Sequence, residues 1–200
     1  MDSTNKLTEI KKRLYAQNPK RINHIEGVAE CAMELKDRHF PAIPDVKILQ
    51  AAYMHDFTKE YPEAEHLKIL EKYCISLQGY DRYAPKLLHS KSAYALAKFE
   101  FALEEDVCDA ILYHTTGREN MSPIEKILYL ADYIEKNRTH IPCVDLRDTY
   151  YMLVERKHQN PLDTAILYAL DLTVSELVEK KGIIDFNTIE ARNYLIKEGI

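Results

Sequence analysis

Six side chains in the sequence could bind a metal or move a proton, and each is separated from apolar residues by intervals typical of one face of a helix. They are His24, His55, Asp56, His89, His114 and Asp132. Asp56 lies on the apolar stripe of a predicted helix, because Leu49 and Ala52 precede it at i−7 and i−4. A carboxylate in an apolar interior costs several kcal/mol unless it has a partner. A divalent cation would be such a partner; the simpler alternative is a hydrogen-bonded His-Asp pair at the end of an ordinary helix.

The other residues of the set border the apolar stripes of further helices. His24 is followed by Val28 at i+4, and His114 is preceded by Val107 at i−7. A lone histidine on an apolar face is usually a satisfied core residue, but six such groups on five helices are hard to explain as independent accidents. Imidazole and carboxylate without thiolate suit iron, manganese or magnesium, with zinc also open. The set therefore predicts a metal centre in a helical core.

The remaining histidines and the cysteines carry no such pattern. His39, His66, His140 and His158 lie near predicted helix ends or loops, so we expect them to be solvated. Cys31, Cys74, Cys108 and Cys143 are widely separated and form no Cys-x-x-Cys motif. Four buried thiols in a reducing cytoplasm are expected, rather than a disulfide framework or a thiolate zinc site.

Length and composition indicate one globular domain. The chain of 200 residues has a net charge of −5 and lacks a dense basic run, so general nucleic-acid binding is not expected, although a local basic pocket for phosphate stays open. The polar N-terminus does not resemble a signal peptide, and no apolar run approaches the roughly 20 residues of a membrane span. A cytoplasmic protein without a membrane partner is expected.

The local patterns predict a single all-α domain over residues 1–200. Only five glycines occur, and no alternating segment makes a convincing strand. Ser122-Pro123-Ile124-Glu125 has the residues of a helix start, and Gly117 those of a helix stop. We expect a bundle of about nine or ten helices, with a core over about 18–138 and helices over 145–200 packed on it. The predicted helices span 5–17, 19–39, 45–56, 63–73, 85–101, 104–114, 122–137, 145–157, 161–181 and 188–198.

The ordered motifs of the chain match a known family. They are Arg21-x-x-His24-x-x-Gly27-Val28, His55-Asp56-x-x-Lys59, Leu88-His89-Ser90, His114-Thr115-Thr116-Gly117, Ala131-Asp132-Tyr133-Ile134-Glu135-x-x-Arg138, Asp145-Leu146-Arg147 and Glu190-Ala191-Arg192-Asn193. This set resembles the HD superfamily of metal-dependent phosphohydrolases and, more narrowly, the YqeK-type symmetrical diadenosine tetraphosphate hydrolases. The resemblance runs from about residue 18 onward. Phe57-Thr58 departs from it, since an aliphatic residue is more usual after the His-Asp pair.

The resemblance implies a role for each matching residue. His24, His55, Asp56 and Asp132 would be the ligands of one metal, iron in the first place. His89 and His114 would either complete a second metal site or hydrogen-bond the polyphosphate. The implied catalytic residues are Asp56, Lys59 and His114, and the implied substrate or phosphate contacts are His24, Gly27, Lys59, His89, His114, Thr115, Asp132 and Arg138.

The resemblance also implies an activity, the cleavage of diadenosine tetraphosphate at its centre to give two ADP. The alternatives are a phosphohydrolase of nucleoside mono- or triphosphates and a nucleotide-binding domain without turnover. Degenerate domains of the second kind usually lack metal ligands, and here every expected position is filled. A homodimer and the identity of the aromatic residues that stack on the base are left open.

Overall fold

Helices make up the regular structure of the chain. The computed structural model describes residues 2–77 and 79–200, and within these ranges it contains ten α-helices and no strand. They are α1 (Ser3–Gln17), α2 (Ile22–His39), α3 (Asp45–Met54), α4 (Glu63–Lys72), α5 (Leu88–Ala95), α6 (Glu105–Tyr113), α7 (Pro123–Ile134), α8 (Ile141–Glu155), α9 (Pro161–Glu179) and α10 (Phe186–Lys197). The predicted all-α class is confirmed.

Local sequence accounts for the boundaries of α6 and α7. At the start of α7 the Ser122 hydroxyl accepts from the Glu125 amide, and the Glu125 carboxylate accepts from the Ser122 amide, which forms a capping box. After α6, Gly117 has a φ of +65°, and its amide donates to the Tyr113 carbonyl at 2.8 Å. A left-handed residue that follows a helix is commonly glycine, because it has no Cβ. Both predicted signals thus set helix ends.

Helix α7 lies at the centre of the bundle. Ile127, Tyr129, Leu130 and Ala131 are fully buried, and α7 packs against α2, α3, α6, α8 and α9. Because α10 packs on α9, the C-terminal helices continue the same core. The position of α7 matters for function, since Asp132 lies in its last turn.

Several predicted boundaries are wrong because hydrogen bonding changes at helix ends. Helix α3 ends at Met54, because the amide of Phe57 donates to Met54, three residues back, at 3.1 Å. His55 and Asp56 therefore stand on a tightened turn after the helix. The predicted helix over 85–101 is a 3₁₀ turn, then α5, then a π-helical turn over Leu96–Glu100. Helix α7 stops at Ile134, and α8 starts at Ile141 rather than at residue 145.

The structure also tests two further expectations, namely the burial of the cysteines and the lack of a membrane-spanning helix. All four cysteines are free, but Cys74 is exposed and Cys31 only partly buried, so the prediction of four buried thiols is wrong for these two. Cys74 follows the end of α4 and has a φ of +55°. In residues 2–77 and 79–200 no helix is long and apolar enough to cross a membrane.

Candidate metal centre

The six residues singled out from the sequence converge on one place in the core. They form a first group, His24, His55 and Asp132, and a second group, Asp56, His89 and His114, and within each group the ligand atoms lie within 4.8 Å of one another. Asp56 links the groups. Its Oδ2 lies 3.7 Å from Nε2 of both His24 and His55, and its Oδ1 lies 3.3 Å from Nε2 of His89.

Three of the histidines are oriented by their own helix ends. His55 and His114 directly follow α3 and α6, and His89 is in the first turn of α5. In each, Nδ1 lies at hydrogen-bond distance from a carbonyl oxygen three residues earlier. These carbonyls belong to Ala52, Lys86 and Ile111. A carbonyl can only accept, so each Nδ1 carries the proton and each Nε2 presents a lone pair to the cluster.

His24 is oriented by a side chain from a distant part of the sequence. Its Nδ1 lies 3.2 Å from Oε1 of Glu135, which is 1% exposed. Oε2 of Glu135 accepts from the Asn137 amide at 2.6 Å. A Cβ on Gly27 would lie only 2.1 Å from that Oε2. Because Gly27 has no side chain, it leaves room for the Glu135 carboxylate, which lies behind the His24 ring.

Arg147 braces the turn that carries Glu135 and Arg138. Its Nε donates to the Ile134 carbonyl at 2.6 Å, and its Nη2 donates to the carbonyls of Glu135 and, at 2.9 Å, Arg138. Arg138 in turn donates from Nη2 to Oδ1 of Asp132 at 2.5 Å and from Nε to the Asp132 carbonyl at 2.9 Å. The chain after α7 is therefore tied to the first group by side chains.

Burial and charge set the protonation of the cluster. Burial lowers the pKa of His55 to about 3 and that of His89 to about 4, so both imidazoles are neutral near pH 7. Burial would raise the pKa of Asp56, but the combined electrostatic effect of the neighbouring His55, His114, His89 and Lys59 outweighs it and holds that pKa well below its usual range. Neutral imidazoles beside ionised carboxylates are the form that binds a cation.

Asp132 and His24 share a hydrogen bond within the first group. The Asp132 pKa is also held well below its usual range, because the hydrogen bond with His24 and the charge of Arg138 outweigh the effect of burial. For His24, burial lowers the pKa, but the hydrogen bond and charge of Asp132 raise it overall. A proton on His24 would compete with a cation for the same lone pair.

Two buried atoms of the cluster support a metal. Nε2 of His55 and Oδ1 of Asp56 have no hydrogen-bond partner among the described residues. Buried polar atoms are rarely left in this state in folded proteins. The converging imidazole nitrogens and carboxylates form the donor set of a divalent transition metal. The residues present therefore fit a metal site.

Cationic side chains and a hydroxyl surround the cluster. Nζ of Lys59 lies 3.5 Å from Oδ1 of Asp56 and 3.0 Å from Nε2 of His89. Nη1 of Arg21 lies 3.3 Å from Oδ2 of Asp56, and Oγ1 of Thr115 lies 3.1 Å from Nε2 of His114. With Arg138, these groups could contact the oxygens of a phosphate held at the cluster. The structure thus brings every implied site residue to the cluster except Gly27, which lies behind it.

Two residues at the site had no role assigned from the sequence. Glu135 stands three residues after Asp132, and Arg21 three residues before His24, so each lies about one helical turn from a residue of the cluster. This spacing indicates that both side chains could lie near the cluster. The sequence does not reveal that Glu135 meets His24, because the two are 111 residues apart.

The prediction that His66 is solvated is wrong. His66 is 5% exposed, because α4 packs against α5, and its Nδ1 lies 2.8 Å from Oγ of Ser92. Ser92 also donates to the His89 carbonyl at 3.1 Å. His39 is partly buried and lies 2.8 Å from the Tyr150 hydroxyl. His140 and His158 are exposed, as predicted.

Comparisons with known proteins agree with this geometry. The HD domain family matches residues 21–137, which include all six cluster residues. A protein of Staphylococcus aureus named "Bis(5'-nucleosyl)-tetraphosphatase, symmetrical" is 35% identical over 88% of this chain and 86% of its own length. A Bacillus subtilis protein of the same name is 32% identical over 88% of this chain and 89% of its own length.

A solved structure shows the same fold. It is a crystal structure from Clostridium acetobutylicum, described as a predicted HD superfamily hydrolase involved in NAD metabolism. It is 34% identical to this chain, with a TM-score of 0.82, and the match covers 96% of this chain and 97% of that one. The similarity therefore extends over nearly all of both chains.

Proposed function

Because the chain belongs to the HD domain family and, within it, to the symmetrical bis(5'-nucleosyl)-tetraphosphatases, we propose that it hydrolyses diadenosine tetraphosphate to two ADP. The observation that carries this proposal is the match to relatives of that name over 88% of the chain. The site agrees with it, since ionised carboxylates, neutral imidazoles and cations meet at one point.

We propose that the cluster holds divalent cations, iron in the first place. His24, His55, Asp56 and Asp132 would hold one, and the second group would hold another through the same Asp56, whose two oxygens face different groups. The absence of thiolate from the donor set favours iron or manganese over a structural zinc site. A divalent cation held there would polarise a phosphoryl oxygen and acidify an attacking water.

The remaining side chains would bind and orient the polyphosphate. Lys59 and Arg21 lie against Asp56, and Arg138 lies against Asp132, so their charges surround the place where phosphoryl oxygens would lie. Charge on those oxygens rises in the transition state, and fixed cations stabilise it. Thr115 could donate its hydroxyl to the same oxygens, since it lies 3.1 Å from His114 Nε2.

The test is product analysis with metal-loaded protein. Diadenosine tetraphosphate should give ADP as the only nucleotide product. Equal amounts of ATP and AMP would overturn the symmetrical cut. Release of phosphate from mononucleotides, without cleavage of the dinucleotide, would favour the alternative substrate class. The matched control is Asp171→Ala, which removes a carboxylate that pairs with Arg192 outside the cluster.

We further propose that the protein works in the cytoplasm, where a nucleotide substrate is available. Its four free cysteines agree with a reducing compartment. Fractionation of cells that express the tagged chain would test this location, and recovery of the protein with the membrane or secreted fraction would contradict it.

A further inference from the structure

The chain after α6 forms a turn that carries Thr115 to the cluster. This segment, here called the threonine turn, comprises residues 115–117. Oγ1 of Thr115 lies 3.1 Å from Nε2 of His114 and 3.5 Å from Nε2 of His89. A shift of the threonine turn would therefore move a hydroxyl group relative to both histidines of the second group.

Arg118, the residue after the threonine turn, lies outside the cluster and joins α6 to α7. Its Nε lies 2.6 Å from Oε1 of Glu125, in the first turn of α7, and its Nη2 donates to Oε2 of the same carboxylate at 3.0 Å. Nη2 also donates to Oδ2 of Asp109, on α6, at 3.0 Å. The guanidinium carbon lies 4.7 Å from the centre of the Tyr113 ring, at the end of α6. One side chain thus holds together the two helices on either side of the threonine turn.

The Glu125 carboxylate fixes the position of Arg118. The side chain of Glu125 is 1% exposed, and a buried carboxylate requires a charged or hydrogen-bonding partner. Oε2 of Glu125 also accepts from the Ser122 amide at 2.7 Å, so the capping box of α7 holds the carboxylate that binds Arg118. Lysine cannot reproduce the forked contact of a guanidinium with a carboxylate.

Helix α10 supports the other side of the threonine turn. Gly117 is buried, and a Cβ at this position would lie 3.2 Å from the Cβ of Ala191 on α10. The hydroxyl of Tyr194, also on α10, donates to Oδ1 of Asn120 at 3.1 Å. The threonine turn is therefore held between α10 and the Arg118 side chain.

We propose that Arg118 is a positioning residue, which acts through the threonine turn to place the Thr115 hydroxyl against a phosphoryl oxygen of the substrate. This inference rests on the proposed function. The His114 ring is held separately, by the Ile111 carbonyl. Loss of the Arg118 contacts should therefore impair the phosphate contact of Thr115 and leave the metal in place.

A double-mutant cycle tests whether Arg118 acts through Thr115. Arg118→Lys keeps the charge but loses the forked contact with Glu125, and Thr115→Val removes the hydroxyl. Each single variant should lower kcat/KM for diadenosine tetraphosphate by about tenfold, because a misplaced hydroxyl and a missing one lose the same contact. The double variant should lie within about twofold of Thr115→Val, since two changes that act on one contact are not additive.

A milder variant serves if Arg118→Lys does not fold. Asp109→Asn keeps the ion pair of Arg118 with Glu125 and weakens only the outer contact, so kcat/KM should fall about two- to threefold. This loss should also disappear in the Thr115→Val background, and wild-type kinetics in Asp109→Asn would overturn the proposal. The matched control is Arg38→Lys, which changes an exposed arginine on α2 that pairs with one carboxylate and should behave as wild type. Metal per chain should be unchanged in every variant.

The same cycle can be measured without turnover. The probe is methylenediphosphonate, a pyrophosphate analogue that is not hydrolysed, and its binding to the metal-loaded protein is followed by calorimetry. Its Kd should rise about tenfold in Arg118→Lys and in Thr115→Val, and no further in the double variant.

Three results would overturn the role of Arg118. They are unchanged kinetics in Arg118→Lys, loss of metal in that variant, and additive losses of about a hundredfold in the double variant. A purely structural ion pair would give the additive result together with a lower Tm. Failure of the proposed function would be seen differently, since the wild-type protein would then not cleave the dinucleotide, and the cycle on methylenediphosphonate binding would still decide the role of Arg118.

Discussion

The two groups of the cluster are oriented by different means. In the second group, His89 and His114 are held by carbonyl oxygens of their own chain segments, three residues away. In the first group, His24 is held by Glu135 and Asp132 by Arg138, both from the turn after α7. Helix ends orient the second group locally, whereas tertiary contacts orient much of the first.

This difference predicts where the site is vulnerable. A backbone carbonyl is not removed by a side-chain substitution, so the histidines of the second group should keep their orientation in most variants. The first group should respond to changes at Glu135, at Arg138 and at Arg147, which braces their turn. Outer partners of metal ligands typically contribute about 10- to 100-fold to metal affinity or activity.

Loss of the Asp132 carboxylate should have the largest effect. Asp132→Ala removes the carboxylate of the first group and should lower turnover by at least about two orders of magnitude, more than the loss of an outer partner. Metal analysis should show less metal per chain, while the helical circular dichroism stays unchanged. If the Asp132→Ala variant bound as much metal per chain as the wild type, Asp132 would not be a metal ligand. Asp171→Ala is the matched control.

Loss of Lys59 should slow the reaction without loss of metal. Nζ of Lys59 lies beside the second group, against Asp56 and His89, but the side chain is 32% exposed and its ammonium group has no lone pair to offer a metal. Lys59→Ala should lower kcat/KM. The loss of transition-state stabilisation should be about 1.5–3 kcal/mol, the range of a hydrogen bond to a charged group. Steady-state kinetics and metal analysis on the same samples test this. Unchanged kinetics, as expected for the surface control Lys68→Ala, would contradict a phosphate contact.

Loss of the Glu135 carboxylate should weaken the first group selectively. In Glu135→Gln a single acceptor oxygen would have to serve both the His24 ring and the Asn137 amide. Affinity at the first group should fall about 10- to 100-fold, with little change at the second. Metal titration followed by calorimetry should resolve two classes of site. Equal weakening of both classes would contradict the contrast between the two groups of the cluster. The control is Lys136→Gln, which changes the next residue, whose side chain is exposed.

The sequence predicted the members of the cluster better than the groups that support them. Asp56 and Asp132 could be recognised because a carboxylate in an apolar helical stripe is unusual in itself. The bond between His24 and Glu135 joins residues 111 positions apart, and only packing brings them together. The sequence includes Gly27 in the motif around His24, but it does not show that Glu135 is the group that approaches this glycine.

The same limit applies to the fold. Helix α7 was predicted from its capping residues, which act within one turn. The burial of His66 depends on how α4 packs against α5, and helical periodicity does not specify which helices become neighbours. The changes of hydrogen bonding after α3 and α5 escaped prediction for a similar reason, because tertiary packing decides where a helix tightens or widens.

Loss of the Ser92 hydroxyl should have the smallest effect on the metal. Its Oγ lies 2.8 Å from His66 Nδ1 and 2.7 Å from Thr58 Oγ1, and it donates to the His89 carbonyl at 3.1 Å. Ser92→Ala would leave a buried imidazole nitrogen without this partner, at a cost of about 1–3 kcal/mol in the free energy of unfolding. Thr58 would still donate to the His89 carbonyl at 2.9 Å.

The His89 ring, however, is held by the Lys86 carbonyl, which Ser92→Ala does not touch. Metal affinity of the second group should therefore stay within about threefold of wild type, well short of the 10- to 100-fold typical of an outer partner. Ser90→Ala, which removes only a hydroxyl that donates to the Leu87 carbonyl, is the control for the loss of one hydrogen bond. Denaturant unfolding and metal titration together test the prediction. A large loss of metal affinity in Ser92→Ala would mean that side chains also orient the second group, and the contrast between the two groups would not hold.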